Sequence, residues 1–290
     1  MAAIGLALVS ALAWGTGDFL GGMAARRYAL LWVLLASALG GVTLAAGGGL
    51  ISGDPIPPRE DMLLGAAAGV CGVVALSAFY RALAVGTMSI VAPITATGAA
   101  IPVLWGVIGR GESLSALSVV AILIAVTGVI LASREQDLAE TTGVSPELHR
   151  QSVLLAIVAA IGFGTIFALI AEAGEASIYW PAAMLKLVTL GIVAIGVVVA
   201  GRGSAALSER PRGRQWFFPY SIGFFDVGAN ITFAASTHHG ALAISSVVSS
   251  LYPVTTILLA FVVLRERLVR TQLIGVAMAL AGVAILAAAS

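Results

Sequence analysis

Charge is scarce in this sequence. Lysine and arginine number 15 and aspartate and glutamate 14 in 290 residues, so charged side chains make up 10% of the chain. A soluble globular domain carries roughly 25%. With 60% hydrophobic residues and a mean hydropathy of +1.06, the chain has too little polar surface to stay in water, and it belongs in a bilayer. A single cysteine, Cys71, excludes an intramolecular disulfide framework and reads as a small packing residue. Histidine is nearly as rare: His149, His238 and His239 are all there are, and adjacent positions do not point the same way, which argues against a metal site. His-Glu-x-x-His, Gly-x-Ser-x-Gly and a glycine-rich phosphate loop followed by Lys-Ser or Lys-Thr are missing. Their absence argues against an enzyme, against a cofactor and against ATP as the energy source. A net charge of +1 with no concentrated basic face argues against nucleic acid as a partner. The apolar start lacks the charged leader of a cleavable signal peptide and reads as a first span.

Long apolar runs are what the chain does have. About 20 apolar residues suffice to cross the hydrocarbon core. Windows of that kind fall at 2–22, 30–51, 62–80, 88–108, 116–133, 152–171, 178–200, 216–235, 241–264 and 271–289. Unpaired backbone groups cannot face lipid, so the spans are expected to be helices, giving an all-α integral membrane protein with ten of them. Period-2 alternation is too weak for a membrane barrel. Short connections such as 84–87 and 237–240 make the joined helices antiparallel neighbours. Residues 134–151, with Glu135, Asp137, Glu140, Glu147 and Arg150, read as a charged linker between two units, 1–133 and 152–290. The other long loop, 201–215, is basic through Arg202, Arg210, Arg212 and Arg214.

The two units resemble each other. A shift of 149 sets Gly15 over Gly164, Thr16 over Thr165 and Leu20 over Leu169. A shift of 154 sets Gly86 over Gly240, Ile90 over Ile244, Glu112 over Glu266 and Gly128-Val129 over Gly282-Val283. Five spans per unit is an odd number, so the second unit is expected to enter the membrane inverted, as in secondary transporters.

Trp14-Gly15-Thr16, the turn "RALAVGTMSIVAPI" (81–94), "GESLS" (111–115) and "SSLYPVTTILLAFVVLRERL" (249–268) resemble the drug/metabolite transporter superfamily, specifically the EamA-type ten-helix permeases, across essentially the whole chain. Arg265, where the second unit commonly has glycine, and the extra Asp18 depart from the pattern. The resemblance implies a multi-pass permease of the inner or plasma membrane. Members export metabolites, amino acids or toxic compounds, and some import sugars or other solutes, so a small-molecule solute is implied and its identity is not.

Ionised side chains in hydrocarbon cost several kcal/mol and normally face a cavity or a partner. The intramembrane set is short: Asp18, Lys186 and Asp226, with Asn230 on the same helix face as Asp226. The repeat counterparts of Asp18, Asp226 and Asn230 are Phe167, Gly72 and Leu76, so these polar groups break the internal symmetry, as a site for an asymmetric solute would. One reading lines a central cavity with Asp18 and Asp226, one binding a cationic group or exchanging a proton, and gives Asn230 a hydrogen bond to the solute. The other lets Asp18 reach interfacial water and pair with Arg26. Lys186, two turns beyond Tyr179-Trp180, is expected to snorkel, with a counter-ion role as the alternative. Trp14, Phe19, Phe225 and Tyr252 offer either a stacking surface or plain packing. Pro93, Pro102 and Pro253 are expected to kink the fourth and ninth spans. Gly17 with Gly21, and Gly65 with Gly69, are expected to form close-packing faces, and Glu112 and Glu266 to cap helix ends or pair with arginines.

Arginines concentrate after the odd-numbered spans, which by the positive-inside rule puts both termini outside, whereas the family resemblance implies both inside. Orientation and direction of transport both stay open at this point. A solute importer of the same fold, a passive channel and a membrane-embedded enzyme are the competing readings.

Overall fold

A computed structural model describes residues 1–85, 91, 94–132, 146–201, 207–265 and 269–289. The helices, numbered in chain order, are α1 (Ala2–Ala25), α2 (Leu30–Ser52), α3 (Arg59–Val85), α4 (Ile94–Gly109), α5 (Ala116–Ala132), α6 (Pro146–Ala173), α7 (Trp180–Ala200), α8 (Phe217–Thr237), α9 (Leu242–Leu264) and α10 (Arg270–Ala289). No strand occurs among the described residues. Seven of these, α1, α2, α3, α6, α7, α9 and α10, contain segments long and apolar enough to cross a membrane, and α4 and α5 are shorter apolar helices. The 21 residues of α8 also match the hydrocarbon thickness, but polar residues, Asp226 and Asn230 among them, lower its apolarity. Helix α6 starts at Pro146, inside the stretch expected to be linker, and its first turns are exposed. Glu135, Asp137, Glu140, Arg202, Pro93 and Glu266 lie outside the described residues.

The most extensive packing joins the two units. Helix α1 packs on α8 and α9, α2 on α7 and α8, α3 on α6 and α7, α4 on α6 and α9, and α5 on α10. Exchanging each helix for its counterpart five places along maps this set onto itself. The same symmetry reaches single contacts. A side chain at Gly15 would collide with the Tyr252 carbonyl and with Thr255, and one at Gly164 with the Gly98 carbonyl and with Ile101. These are matched positions in the two registers above, so the Gly15–Gly164 identity follows from one helix contact made twice. Buried alanines, such as Ala45, Ala182 and Ala183 in one core cluster, let the helix axes come similarly close.

Gly65 meets the backbone of Pro181 and Gly69 the carbonyl of Leu185, so that pair docks α3 on α7. Gly17 touches Phe225 and Asp226 at ordinary van der Waals distance, but Gly21 has nothing within 4 Å. The expected glycine face on α1 therefore stops at Gly17, and the last turns pack instead through Ala24, buried with Val33 and Ile222. Tighter is the crossing of α2 and α8, where Gly223 lies against the Ser37 carbonyl and Gly40 against the Tyr220 carbonyl. Gly223→Ala is expected to cost about 1–3 kcal/mol through overpacking. Gly228→Ala on the same helix meets open space and should be neutral or gain up to about 1 kcal/mol of helix propensity. Thermal unfolding of the two purified variants checks the contrast.

Helices α4 and α9 are discontinuous. In α4 a 3₁₀ turn at Thr97–Ala99 precedes the α-helical segment Ala100–Leu104, which contains Pro102, and a π-turn at Trp105–Gly109 follows. In α9 the helix stops at Ser249, resumes at Tyr252 beside Pro253 and ends in a π-turn at Ala260–Leu264. Each proline lacks an N–H, so the carbonyl four residues earlier loses its partner.

Candidate functional site

The charged residues of the second unit meet. Lys186 of α7 forms an ion pair with Asp226 Oδ2 of α8. Asn230 donates from Nδ2 to the Asp226 carbonyl at 2.7 Å and to Oδ1 at 3.4 Å, as the four-residue spacing requires. Lys186 is 8% exposed, so it does not snorkel. Gly41 of α2 explains the difference. With no side chain there, the lysine stem lies across α2, its Cγ 3.0 Å from where a Cβ would be, and the ammonium turns inward to Asp226. Tyr179 and Trp180 are engaged elsewhere, Tyr179 against Gly48 and Trp180 donating to the Asp54 carbonyl at 2.9 Å.

Asp18 is different. It is exposed, yet it lies on the bundle-facing side of α1, one turn beyond Trp14, within electrostatic reach of Asp226 and Tyr252. Gly21 and Gly22, on the following turn, meet nothing within 4 Å. Asp18 thus borders open space. Among the described residues it forms no salt bridge, to Arg26 or to any other.

Beside it stands an aromatic cluster. Trp14 lies 4.8 Å from Phe167, 5.9 Å from Phe233 and 6.3 Å from Tyr252 between ring centroids, and Phe167 lies 4.8 Å from Phe233. Four helices, α1, α6, α8 and α9, contribute one ring each. Tyr252 enters just after the interruption in α9, and its carbonyl rests on Gly15. Phe225 is 38% exposed beside Gly17 and outside the cluster, and Phe19 is buried. Phe167 and Phe233 were the members that sequence reasoning passed over. The signals were there: Phe167 is the repeat counterpart of Asp18, and Phe233 follows Asp226 and Asn230 on the same helix face.

At the end of the bundle that holds the α1 N-terminus, polar contacts tie the units together. Arg110 Nε donates to Glu172 Oε1 at 2.7 Å and Arg110 Nη2 to Glu175 Oε1 at 3.1 Å, while Trp105 Nε1 donates to Glu172 Oε1 at 2.7 Å. Ser177 donates to Asp54 Oδ2 at 2.5 Å. Glu112 accepts from the backbone N–H groups of Leu242 and Ala243, at 2.6 and 3.0 Å, and so caps α9 from the other unit. Glu112→Gln keeps the shape and removes the charge, and should lower stability by about 1 kcal/mol, read as a drop in the unfolding midpoint. His238 bonds the Gly174 carbonyl at 2.8 Å, and no metal-holding group of three or more residues occurs among the described residues.

The described residues form helices and no strand, the helices pair across two matched units, and few charges lie inside the bundle. The EamA-like transporter family model matches residues 1–134 and 150–288. The chain belongs to the EamA-like transporter family. As an EamA-like transporter it is a multi-pass membrane protein of a family of transporters, not of enzymes. A solved crystal structure with a TM-score of 0.80 and 19% sequence identity covers 99% of this EamA-like chain and 96% of its own, which shows a shared fold. No curated protein matches the sequence.

Proposed function

We propose that this EamA-like protein is a ten-helix secondary transporter of the inner or plasma membrane, built as two inverted five-helix repeats, that exports small metabolites, amino acids or drugs by alternating access. The observation that carries the site reading is Asp18, an exposed carboxylate facing the interior of the bundle without a salt-bridge partner among the described residues. Asp226 is already compensated by Lys186, which leaves Asp18 to take the positive group of a solute. The four aromatic rings beside it suit an apolar or aromatic body, so the favoured solute is a protonated amine with such a body. A proton can replace that ammonium on Asp18, which would exchange one for the other.

Two further features support alternating access. Interruptions occur at counterpart helices, α4 and α9, where transporters of repeat architecture place their sites. The ties from Arg110, Asp54 and Glu112 hold one end of the bundle together across the units. In this reading that end is closed and opens when those ties exchange for others. Export is proposed on the family resemblance.

The test compares small molecules accumulating in the medium of cells expressing wild type or Asp18→Asn, with membrane expression matched. An amine released by the wild type and retained with Asp18→Asn supports the assignment. Equal release by both removes Asp18 from the transport cycle.

A further inference from the structure

At the end of the bundle that holds the α1 C-terminus, the returning loop before α8 is fastened to α2. Trp32 Nε1 donates to the Leu207 carbonyl at 3.1 Å, and the Trp32 and Trp216 rings meet edge to face at 5.8 Å. The Arg210 guanidinium lies over both, 5.0 Å from the Trp32 centroid and 5.6 Å from that of Trp216. Such a stack fixes the loop to α2, and tryptophan is a residue enriched at the boundary between hydrocarbon and headgroups.

Beneath it runs a groove of about 740 Å³ between α2 and the start of α8. Its existence follows from the glycine crossing. Gly40 and Gly223 bring the two helices into backbone contact, and beside that contact Ala36 and Leu39 form one wall while Phe217 and Tyr220 form the other. Leu39 is 44% and Phe217 69% exposed, so the groove opens to the lipid side. Trp216 and Arg214 stand at its mouth, and Arg214 is exposed with no salt bridge among the described residues. Arg212 is exposed two residues away.

We propose that this groove binds an anionic phospholipid, with an acyl chain along Ala36, Leu39 and Phe217 and the phosphate on Arg214. Charge complementarity selects the occupant. An apolar slot alone would take any lipid, whereas a guanidinium at its mouth, with Arg212 adding to the positive field, favours a net negative headgroup. The loop's clamp on Trp32 holds the backbone that carries Arg214 at the mouth of the slot. The site is independent of the solute pathway and rests on none of its residues.

The experiment titrates purified full-length protein with phosphatidylglycerol or phosphatidylcholine of the same acyl chains, in detergent, and reads the thermal unfolding midpoint. Wild type should bind phosphatidylglycerol more tightly, giving the larger midpoint shift. Arg214→Gln should weaken phosphatidylglycerol by about fivefold and leave phosphatidylcholine unchanged. Arg27→Gln, an exposed arginine at the same end outside the groove, controls for general surface charge and should change neither. Glycerol phosphate, which has the headgroup but no chain, should give no shift. Equal shifts for the two lipids in wild type, an unchanged preference in Arg214→Gln, an equal loss in Arg27→Gln, or a full shift from glycerol phosphate alone each overturns the proposal.

Discussion

Exchanging Asp18 for asparagine is expected to slow transport of an amine-bearing solute by about ten- to a hundredfold. The size follows from what the carboxylate supplies. A hydrogen bond to a charged group contributes about 1.5–3 kcal/mol, and each 1.4 kcal/mol is a factor of ten. Asparagine keeps the volume and an acceptor oxygen but gives up the charge, so the loss should fall mainly on affinity. Because Asp18 borders open space and forms no salt bridge among the described residues, the substitution removes no visible structural contact. Folding should therefore be intact, and initial rates in vesicles at several solute concentrations separate a raised KM from a lost protein. An unchanged KM would mean that the solute does not touch Asp18.

Lys186→Met is expected to act on the fold. It removes the cation from a pair whose side chains are 10% and 30% exposed and leaves Asp226 charged among helices. Breaking a buried pair typically costs about 3–5 kcal/mol. Asp226 keeps some access to water, so about 2–4 kcal/mol is the fitting range. Asp226→Leu leaves the opposite orphan, a lysine that is itself buried, and should be at least as damaging. The double variant Lys186→Met/Asp226→Leu removes both charges and should recover much of the loss. A double-mutant cycle on unfolding midpoints gives the coupling, and additive losses would mean that the pair contributes nothing beyond its separate contacts.

The two predictions differ in how visible their residues were beforehand. Asp18 and Asp226 stand out because a carboxylate in an apolar run is costly, and their spacing from Trp14 and Asn230 is a helix property that needs no structure. The repeat register was legible too, since shared contacts such as Gly15 on Tyr252 and Gly164 on Gly98 constrain residue type at matched positions. The Lys186–Asp226 pair was legible only as the alternative, a counter-ion role for Lys186 set behind snorkelling. It depends on a vacancy at Gly41 in a third helix, and a glycine in an apolar run gives no sign of what will lie against it. Tyr179 and Trp180 pointed toward the membrane surface, and their real partners, Gly48 and the Asp54 carbonyl, come from α2 and the loop after it. The aromatic cluster was half visible for a similar reason: each ring comes from a different helix, and only the packing of α6 and α8 onto α1 brings Phe167 and Phe233 to Trp14.

The central claim is that a solute binds one interior site that opens to each side in turn, and counterflow in proteoliposomes tests it most directly. Vesicles loaded with unlabelled solute and diluted into labelled solute should take up label transiently above its equilibrium level, because the carrier returns loaded. Uptake that rises linearly with concentration, is indifferent to solute inside and never overshoots would describe a channel and contradict the account.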